Sequence, residues 1–466
     1  MAGKLAGEEI HRVPGWSIAI SGGGHRASLF GLGALMYFAD SGLNAEVTSI
    51  ASVSGGSLTN GYVGAHLDYT RVSGQDFSTA VQPLVKRCGV QGTVQWAPEA
   101  VALLVGIGLG LVLAVLAWFL PVPDWLQILL FLIGLVLASA LIEARSVVSD
   151  RIFRRLLFTA PDGKSIRLKD LHPAVTHVLC ATEVQSKVHA YFSRAFAYSY
   201  EYGTSTGAGN LQLSTAVQAS ACFPGGFPPR SLSAKKLGFT RGNRTTLWLV
   251  DGGVYDNMGE QWAQRFAGRM AGDAELRAVA GEPPDNLLVV NASAREGWST
   301  APALMRVPVL GELLTMLREK TILYQVGTTN RRAGLIRQFD TVRLARALPA
   351  GPQRDALLRS AGLNGALTHI ATDPRWPSTV TLPSPDEQAA CAEVAAKLAE
   401  FADQAWIDQS LALSGKVHTT LAKVGRENAA ALLWLGYVLT MANLHVFFDA
   451  PLYDLPSKQR FESLMD

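Results

Sequence analysis

Ser54 has the residue type and the sequence context of a nucleophile. It lies between a strand-like run at 47–53 and a helix rich in small residues, within the sequence SVSGG at 52–56. This sequence matches the nucleophile elbow G-x-S-x-G with serine in the first glycine position. Small neighbours are needed there, because larger side chains would collide across a sharp strand-to-helix turn. Many Ser-Gly turns serve only as turns, so Ser54 is a candidate nucleophile only together with other groups.

A glycine cluster at 22–24 has the composition of a loop that binds negative charge. Backbone N–H groups directed at a carbonyl oxygen stabilise the oxyanion of ester cleavage, and losing one donor costs about 3 kcal/mol. A phosphate-binding turn is the alternative. However, the pattern G-x-G-x-x-G is incomplete, because Ala27 stands in its last position. We favour an oxyanion hole, since Ser54 follows at the end of the next predicted strand.

Asp251 ends the apolar run at 246–250 and is followed by two glycines. In isolation, an aspartate in this position is most often a turn former. Asp256 and Asn257 follow closely and could suggest a metal site, but the chain has no D-x-D-x-D-G calcium loop. A turn is the simpler interpretation of these two residues, and we expect no metal ion and no cofactor.

The elements that would position these residues alternate between strands and helices, as in a parallel α/β sheet. A short buried strand at 16–21 precedes the glycine cluster, and a helix begins at about Ala27. A second buried strand at 47–53 leads to Ser54 and a further helix. The alternation resumes beyond residue 150, with predicted strands at 177–182, 246–250 and 286–291.

Two long apolar runs interrupt this alternation of strands and helices. Residues 100–120 carry no charge over 21 positions, and residues 125–142 carry none over 18. A helix of the first length spans about 31 Å, which is enough to cross the apolar core of a bilayer. We predict a transmembrane hairpin over 98–145 that contacts the lipid bilayer through residues 100–142. A pair of buried core helices is the alternative, but such helices usually keep a polar stripe.

Charged and small residues orient this hairpin. The basic residues that flank it are Lys86, Arg87, Arg145, Arg151, Arg154 and Arg155, and its connecting turn contains none. The positive-inside rule therefore predicts an integral membrane protein with its catalytic domain on the cytoplasmic side. Small residues at helical spacing would let the two helices approach closely. They are Gly106, Gly110 and Ala114 on the first helix and Gly134 and Ala138 on the second.

A third apolar stretch, at 429–448, is also long enough to cross a membrane. Thr440, Asn443 and His445 lie within it, and polar groups are costly in lipid. We interpret the stretch as a buried core helix, with a third span as the alternative.

The composition argues against several other classes of protein. The chain is 48% hydrophobic and 17% charged, and its net charge of +3 is not gathered in long basic runs. We therefore expect no nucleic-acid partner. The four cysteines are far apart and form no C-x-x-C pair, which predicts neither a zinc site nor a disulfide framework.

Together these motifs resemble the patatin-like phospholipase family. The resemblance rests on a GGGxR loop at 22–26, a serine elbow about 30 residues later, and a strand-terminal Asp-Gly-Gly at 251–253. Residues 219–229 look like the family's ASAAxPxxFPP segment. Residues 180–183 look like its ATD segment with Glu for Asp, and residues 435–437 resemble its closing helix. On this reading the hairpin is an insertion within the catalytic domain.

The resemblance implies a Ser–Asp dyad without histidine. Ser54 attacks the ester carbonyl, and Asp251 accepts its proton and returns it to the leaving alcohol. Arg26 is implied to brace the glycine loop, with contact to a lipid phosphate as the alternative. The candidate oxyanion donors are the amides of Gly22, Gly23, Gly24 and Gly55.

A histidine could instead complete an ordinary triad. His25 lies in the glycine loop at a position that varies in the family, and His189 precedes a predicted strand. We expect neither to be catalytic. Ser52 and Ala27 replace family glycines, which affects the geometry of the oxyanion hole but removes no reacting group.

The resemblance also implies a three-layer α/β/α fold with a mixed, mostly parallel sheet. We expect the catalytic domain at 1–97 and 146–350, the hairpin between them at 98–145, and a helical C-terminal part packing on the domain at 351–466. The implied function is a membrane-anchored serine hydrolase that cleaves acyl esters of phospholipids or lysophospholipids. The alternatives are a neutral-lipid hydrolase or acyltransferase with the same dyad, and a catalytically silent membrane scaffold.

Overall fold

The computed structural model describes residues 13–239, 241, 245–281, 284–293 and 308–466. The first twelve residues, which our domain division assigns to the catalytic segment 1–97, lie outside this described part. The same holds for the short stretches of segment 146–350 that separate the described ranges.

Strands of the described chain form one mixed sheet of ten, in the order β10-β9-β1-β2-β3-β4-β5-β6, with β8 paired to β3 and β7 to β8. The strands are β1 (Val13–Ile20), β2 (Val47–Val53), β3 (Thr176–Glu183), β4 (Val188–Phe192), β5 (Ala197–Ser199), β6 (Gly203–Ser205), β7 (Arg230–Ser233), β8 (Thr246–Asp251), β9 (Pro284–Asn291) and β10 (Asn364–His369). Strands β10, β9, β1, β2 and β3 are parallel to one another. The remaining pairings are antiparallel. We predicted a mixed, mostly parallel sheet; the sheet is mixed, with five successive parallel strands from β10 to β3 and antiparallel pairings beyond them.

Helices connect and cover these strands. They are α1 (Gly24–Ser41), α2 (Gly55–His66), α3 (Gly74–Lys86), α4 (Pro98–Leu116), α5 (Asp124–Glu143), α6 (Arg145–Leu157), α7 (Leu213–Ser220), α8 (Gln261–Gln264), α9 (Phe266–Gly272), α10 (Ala274–Ala280), α11 (Pro308–Ala347), α12 (Pro352–Ala361), α13 (Pro385–Glu400), α14 (Gln404–Lys416), α15 (Arg426–Phe448) and α16 (Lys458–Glu462). Several begin with a side-chain cap, as at Ser73, whose hydroxyl accepts the N–H of Asp76.

Two strands meet head to head along one edge of β3. Strand β2 runs parallel to β3 and ends with Val53 opposite Cys180. Strand β8 runs antiparallel to β3 and ends with Asp251 opposite Ala181. Because β4 occupies the other edge of β3 at the same level, β2 and β8 share one edge and run toward each other. The residue after Val53 therefore faces the end of β8.

The C-terminal helix α15 forms part of the hydrophobic core. It packs against α1 so closely that a Cβ atom at Gly33 would lie 2.1 Å from the carbonyl oxygen of Leu433. A Cβ atom at Gly436 would lie equally close to the carbonyl oxygen of Phe30. The helix is buried along most of its length. The stretch 429–448 is thus a core helix, as we predicted.

The division at residue 350 needs correction. Strand β10 lies in the segment 351–466, which we expected to be helical, and it extends the central sheet beside β9. Its sequence, NGALTH, is short and contains glycine and polar residues, so its pattern gives little sign of a buried strand. The C-terminal part is mostly helical, but it also completes the sheet.

The predicted hairpin folds as two antiparallel helices, α4 and α5. A Cβ atom at Gly134 would lie 2.7 Å from the backbone nitrogen of Ala114, and one at Gly110 would lie 3.2 Å from the backbone nitrogen of Ala138. The small residues therefore form the contact between the helices, as we predicted. By length and composition alone, three helices of the described chain could cross a membrane: Pro98–Phe119, Asp124–Glu143 and Arg426–Phe448. The first two expose most of their apolar side chains.

Candidate active site

Ser54 occupies a strained turn between β2 and α2. Its backbone angles are φ 51° and ψ −119°, a combination that residues other than glycine adopt at a cost of about 1–3 kcal/mol. Two glycines make the turn possible. A Cβ atom at Gly55 would lie 1.9 Å from the carbonyl oxygen of Gly24, and one at Gly56 would lie 2.7 Å from that of Ile20. This is the geometry of a nucleophile elbow.

A buried network of hydroxyl groups fixes this turn. The Ser54 N–H donates to the Ser220 side-chain oxygen at 3.0 Å, and the Ser220 hydroxyl donates to the Cys180 carbonyl at 2.6 Å. The Ser57 side-chain oxygen lies 2.8 Å from that of Ser220 and 3.0 Å from that of Ser52. Ser52, which replaces the family glycine, therefore takes part in holding the elbow.

Sequence reasoning missed the supporting role of this network. Ser220 lies within the segment 219–229, which we used only as a mark of the family. Asn60 was missed entirely, although its amide donates to the Ser52 side-chain oxygen at 2.9 Å and to the Ile50 carbonyl at 2.8 Å. The available signal was a polar residue on the small-residue helix one and a half turns after the nucleophile.

Asp251 faces Ser54 at the end of β8. Its backbone N–H donates to the Cys222 carbonyl at 2.9 Å, and its carboxylate accepts the Gly253 N–H at 2.8 Å. Burial raises the pKa of the carboxyl group to about 6, and the neighbouring Ser54 side chain and the Gly253 N–H partly oppose that shift. The two residues that we predicted from sequence therefore lie next to each other, at the meeting ends of β2 and β8.

The glycine loop lies directly against this pair. A Cβ atom at Gly22 would lie 3.1 Å from the Cβ atom of Ser54 and 2.3 Å from the side-chain oxygen of Asn257. Gly23 and Gly24 have φ angles of 142° and 59°, which favour glycine. The loop can pass this close to the serine only because it carries no side chains.

One of the N–H groups that we expected to stabilise the oxyanion, that of Gly22, already donates a hydrogen bond within the protein. The Gly22 N–H donates to the Asn257 carbonyl at 2.8 Å, so in this arrangement Gly22 forms a wall of the site. The other three glycines differ. Gly23 precedes α1, Gly24 begins it and Gly55 begins α2. The first N–H groups of a helix have no acceptor within the helix, and the helix dipole favours negative charge at this end.

Arg26 braces the loop. Its side chain is buried, its Nε donates to the Ala292 carbonyl at 2.8 Å, and its Nη1 donates to the Val417 carbonyl at 2.6 Å. The guanidinium group thus ties the start of α1 to the end of β9 and to the segment after α14. This geometry matches the bracing role and gives no support to a contact with lipid phosphate.

The two histidines nearest to the motifs have their nitrogens engaged elsewhere. In His25, Nδ1 lies 2.7 Å from the Ala422 carbonyl and Nε2 lies 3.0 Å from the Thr93 hydroxyl. Burial lowers the pKa of His25 to about 4. In His189, Nδ1 lies 3.2 Å from the Ala181 carbonyl and Nε2 lies 3.6 Å from the Asp256 carboxylate. Both rings serve packing and hydrogen bonding within the core.

Asp256 forms a turn. Its carboxylate oxygens accept the N–H groups of Met258 at 3.0 Å and Gln261 at 3.1 Å. Within the described ranges, no group of three or more His, Cys, Asp and Glu side chains is arranged to hold a metal ion. The arrangement at the site is that of a serine, an acid and a set of backbone donors, which suits transfer of an acyl group through a covalent intermediate.

Comparisons with known proteins give one family. A family model described as patatin-like phospholipase matches residues 18–261, more than half of the chain. No curated protein sequence matches it. Similar solved structures include human GIVD cytosolic phospholipase A2, with 13% identity and a TM-score of 0.43 over 97% of this chain and 60% of that one. VipD from Legionella pneumophila has 12% identity and a TM-score of 0.29 over 98% of this chain and 83% of that one. A chain of the SpcU–ExoU complex from Pseudomonas aeruginosa has 17% identity and a TM-score of 0.24 over 97% and 85%. The chain spans 60% of the length of the human protein.

Proposed function

This chain belongs to the patatin-like phospholipase family, and on that premise we propose that it is a lipid acyl hydrolase anchored in a membrane. Its substrates are fatty acyl esters of phospholipids or lysophospholipids. The observation that carries the proposal is the meeting of β2 and β8 along β3, which brings Ser54 and Asp251 together. It occurs beside a side-chain-free glycine loop and two helix N-termini.

The first half of the reaction forms an acyl-enzyme. The Ser54 oxygen attacks the ester carbonyl while the Asp251 carboxylate accepts the hydroxyl proton. The tetrahedral oxyanion accepts hydrogen bonds from the N–H groups of Gly23, Gly24 and Gly55. Collapse of the intermediate breaks the ester bond, and Asp251 returns the proton to the leaving alcohol.

The second half releases the fatty acid. Water attacks the acyl-enzyme carbonyl and gives a proton to Asp251. The same backbone donors stabilise the second oxyanion, and Asp251 returns the proton to the Ser54 oxygen. The raised pKa of about 6 for Asp251 suits both steps, because the carboxylate is ionised at neutral pH and still basic enough to take a proton.

The anchor in this proposal is the hairpin of α4 and α5. Its outward-facing side chains are apolar and exposed, as at Leu104, Val105 and Val136, and soluble proteins seldom expose so large an apolar surface. Trp96, Trp118 and Trp125 are exposed near its ends, where interfacial aromatics belong. The basic residues that flank the hairpin favour a cytoplasmic position for both of its ends, and with them for the catalytic domain.

Activity is tested by fatty-acid release from mixed phospholipid vesicles with detergent-purified protein. Wild type is compared with Ser54→Ala, Asp251→Asn and the matched control Ser231→Ala, which removes an exposed hydroxyl on β7. We expect release by wild type and the control. We expect a loss on the order of 10³-fold in the other two variants. A fluorophosphonate probe should label wild type and not Ser54→Ala.

The other outcomes separate the alternatives. Probe labelling without fatty-acid release from phospholipids would favour the alternative of a neutral-lipid hydrolase or of an acyltransferase that uses an acceptor other than water. Well-folded protein that neither reacts with the probe nor releases fatty acid would be a scaffold.

A cysteine at Val122 in the connecting turn tests the anchor. An impermeant maleimide should label it in intact cells and should label an introduced cysteine at Gln353 only after permeabilisation.

A further inference from the structure

Helix α6 fastens the base of the hairpin to the catalytic domain. It begins at Arg145, immediately after the end of α5. Its buried Asp150 accepts hydrogen bonds from Ser214 at 2.5 Å, Thr215 at 2.8 Å and Arg230 at 2.8 Å. On the other side, Arg155 forms a two-pronged ion pair with Glu99 in the first turn of α4. Both ends of the hairpin are therefore held at a fixed place on the domain.

The same helix touches the loop that follows α7. The Ser146 hydroxyl donates to the Pro228 carbonyl at 2.6 Å and lies 3.7 Å from the sulfur of Cys222. Ser146 is only three residues beyond the end of α5. The loop thus lies at the base of the hairpin, at the level where the helices would enter the lipid.

This loop is also a wall of the candidate active site. It starts two residues after Ser220, which holds the Ser54 N–H, and its Cys222 carbonyl accepts the Asp251 N–H at 2.9 Å. Direct contacts therefore connect the base of the hairpin to the loop, and the loop to Ser54 and Asp251. Asp251 is therefore linked to the base of the hairpin through this loop.

The tip of the loop is apolar and exposed. Phe223 is 40% exposed and packs edge-on against Phe227 at 5.3 Å between ring centroids, and Val254, three residues after Asp251, is 49% exposed. The eight residues 222–229 include no charged side chain. We call residues 223–227 together with Val254 the rim.

We propose that the rim enters the interfacial layer of the same leaflet in which the base of the hairpin lies. A fatty acyl chain then reaches Ser54 directly from the bilayer, without first crossing water. The occupant of the rim is the lipid surface, because the rim is continuous with the hairpin base and uncharged. This inference rests on the proposed membrane anchor.

The rim is tested with an environment-sensitive dye on Val254→Cys, in the full chain reconstituted into vesicles of phosphatidylcholine and phosphatidylglycerol. The four native cysteines are buried, so the dye reacts with the introduced one. The matched control is Gln353→Cys, at an exposed position on α12, which precedes the edge strand β10 in the chain. We expect a blue-shifted emission at position 254, with quenching at least about threefold greater by lipids that carry a nitroxide high on the acyl chain. We expect neither effect at position 353.

Equal, water-like emission at both positions would overturn the rim proposal. So would a blue shift at 254 that nitroxide lipids leave unquenched and that grows with the protein-to-lipid ratio, because a second copy of the chain would then cover the rim. Protein that the vesicles do not retain would refute the anchor and the rim together.

The same dye measurement in a Ser54→Ala background separates this proposal from the catalytic one, because it requires no turnover. If the dye enters lipid while the wild-type protein hydrolyses no ester, the rim proposal stands and the catalytic proposal fails. As a second readout, Phe223→Ser should lower the ratio of vesicle hydrolysis to hydrolysis of a soluble short-chain ester by about fivefold or more. An unchanged ratio would contradict the rim.

Discussion

The side-chain oxygen of Ser220 accepts the backbone N–H of Ser54 at 3.0 Å. The two residues are 166 positions apart in the sequence, yet this bond fixes the peptide on which the candidate nucleophile stands. The Ser220 hydroxyl donates in turn to the Cys180 carbonyl on β3. The elbow is therefore tied to the strand along which β2 and β8 meet.

We expect Ser220→Ala to lower turnover by about tenfold to a hundredfold, because a misplacement of about 1 Å can cost that much. The change also leaves the buried Ser54 N–H without an acceptor, at a cost of about 1–3 kcal/mol in the free energy of unfolding. Initial rates of fatty-acid release and thermal melting check both effects. Ser231→Ala is the matched control. Partial recovery in Ser220→Thr, which keeps the hydroxyl, separates positioning from simple loss of packing.

The backbone at Ser54 predicts a stability difference between two inactive variants. Both Ser54→Gly and Ser54→Ala remove the hydroxyl, but only glycine adopts φ 51° and ψ −119° without strain. We expect Ser54→Gly to unfold with a free energy about 1 kcal/mol higher than Ser54→Ala. Melting of both proteins in the same detergent measures the difference. A less stable glycine variant would show that the elbow is not strained.

The pKa of Asp251 predicts how activity depends on pH. Because burial raises this pKa to about 6, the base is protonated at lower pH, and kcat/KM should rise with pH through a midpoint near 6. A profile that is flat between pH 5 and 7 would exclude Asp251 as the base.

The same shift has a consequence for stability. Between its usual value of 3.8 and about 6, the carboxyl group is ionised in the unfolded chain but protonated in the folded one. Rising pH therefore stabilises the unfolded chain, and the wild type loses stability over this window while Asp251→Asn does not. The difference between the two proteins should change by about 2 kcal/mol between pH 4 and pH 7. Melting curves at both pH values measure it.

His25 provides a direct test of a dyad against a triad. His25→Ala removes the hydrogen bonds to Ala422 and Thr93, so we expect a loss of stability of a few kcal/mol. The rate per molecule that reacts with a fluorophosphonate probe should stay within a few-fold of wild type. A folded variant that reacts with the probe and hydrolyses no ester would restore a catalytic role for this histidine.

The contact between α4 and α5 predicts a position-specific effect. A side chain at Gly134 would strike the backbone of Ala114, whereas no atom lies within 4 Å of a Cβ atom at Gly108. We expect Gly134→Val to destabilise the hairpin by about 1–3 kcal/mol through overpacking, and Gly108→Val to be nearly neutral. The thermal stability of the purified protein in detergent compares the two. Equal effects would show that the helices do not pack through these glycines.

The sequence was sufficient for the parts of the site that depend on local pattern. Ser54 and Asp251 lie at the ends of apolar strands beside glycines, and the apolar period together with those glycines predicts both the strands and the turns. The two apolar helices were equally clear, because their length and lack of charge are local properties.

The remaining features depend on contacts between distant residues. Gly22 could be named as an oxyanion donor from its loop, but its N–H meets the carbonyl of Asn257, which lies far along the chain in the turn that follows β8. Strands β5 and β6 have three residues each, too few for an alternating pattern to be visible. Strand β10 is stabilised by its neighbour β9 rather than by its own weakly apolar sequence.

The position of the hairpin within the chain has a consequence for synthesis. Glu143, at the end of α5, leaves the ribosome 108 residues before Asp251, and β9, β10 and α15 follow later still. If these helices insert as we propose, the nascent chain would already hold Ser54 at the membrane surface before the opposing acid is synthesised. The order of translation would then keep the chain inactive until insertion, since Ser54 and Asp251 would be brought together only afterwards.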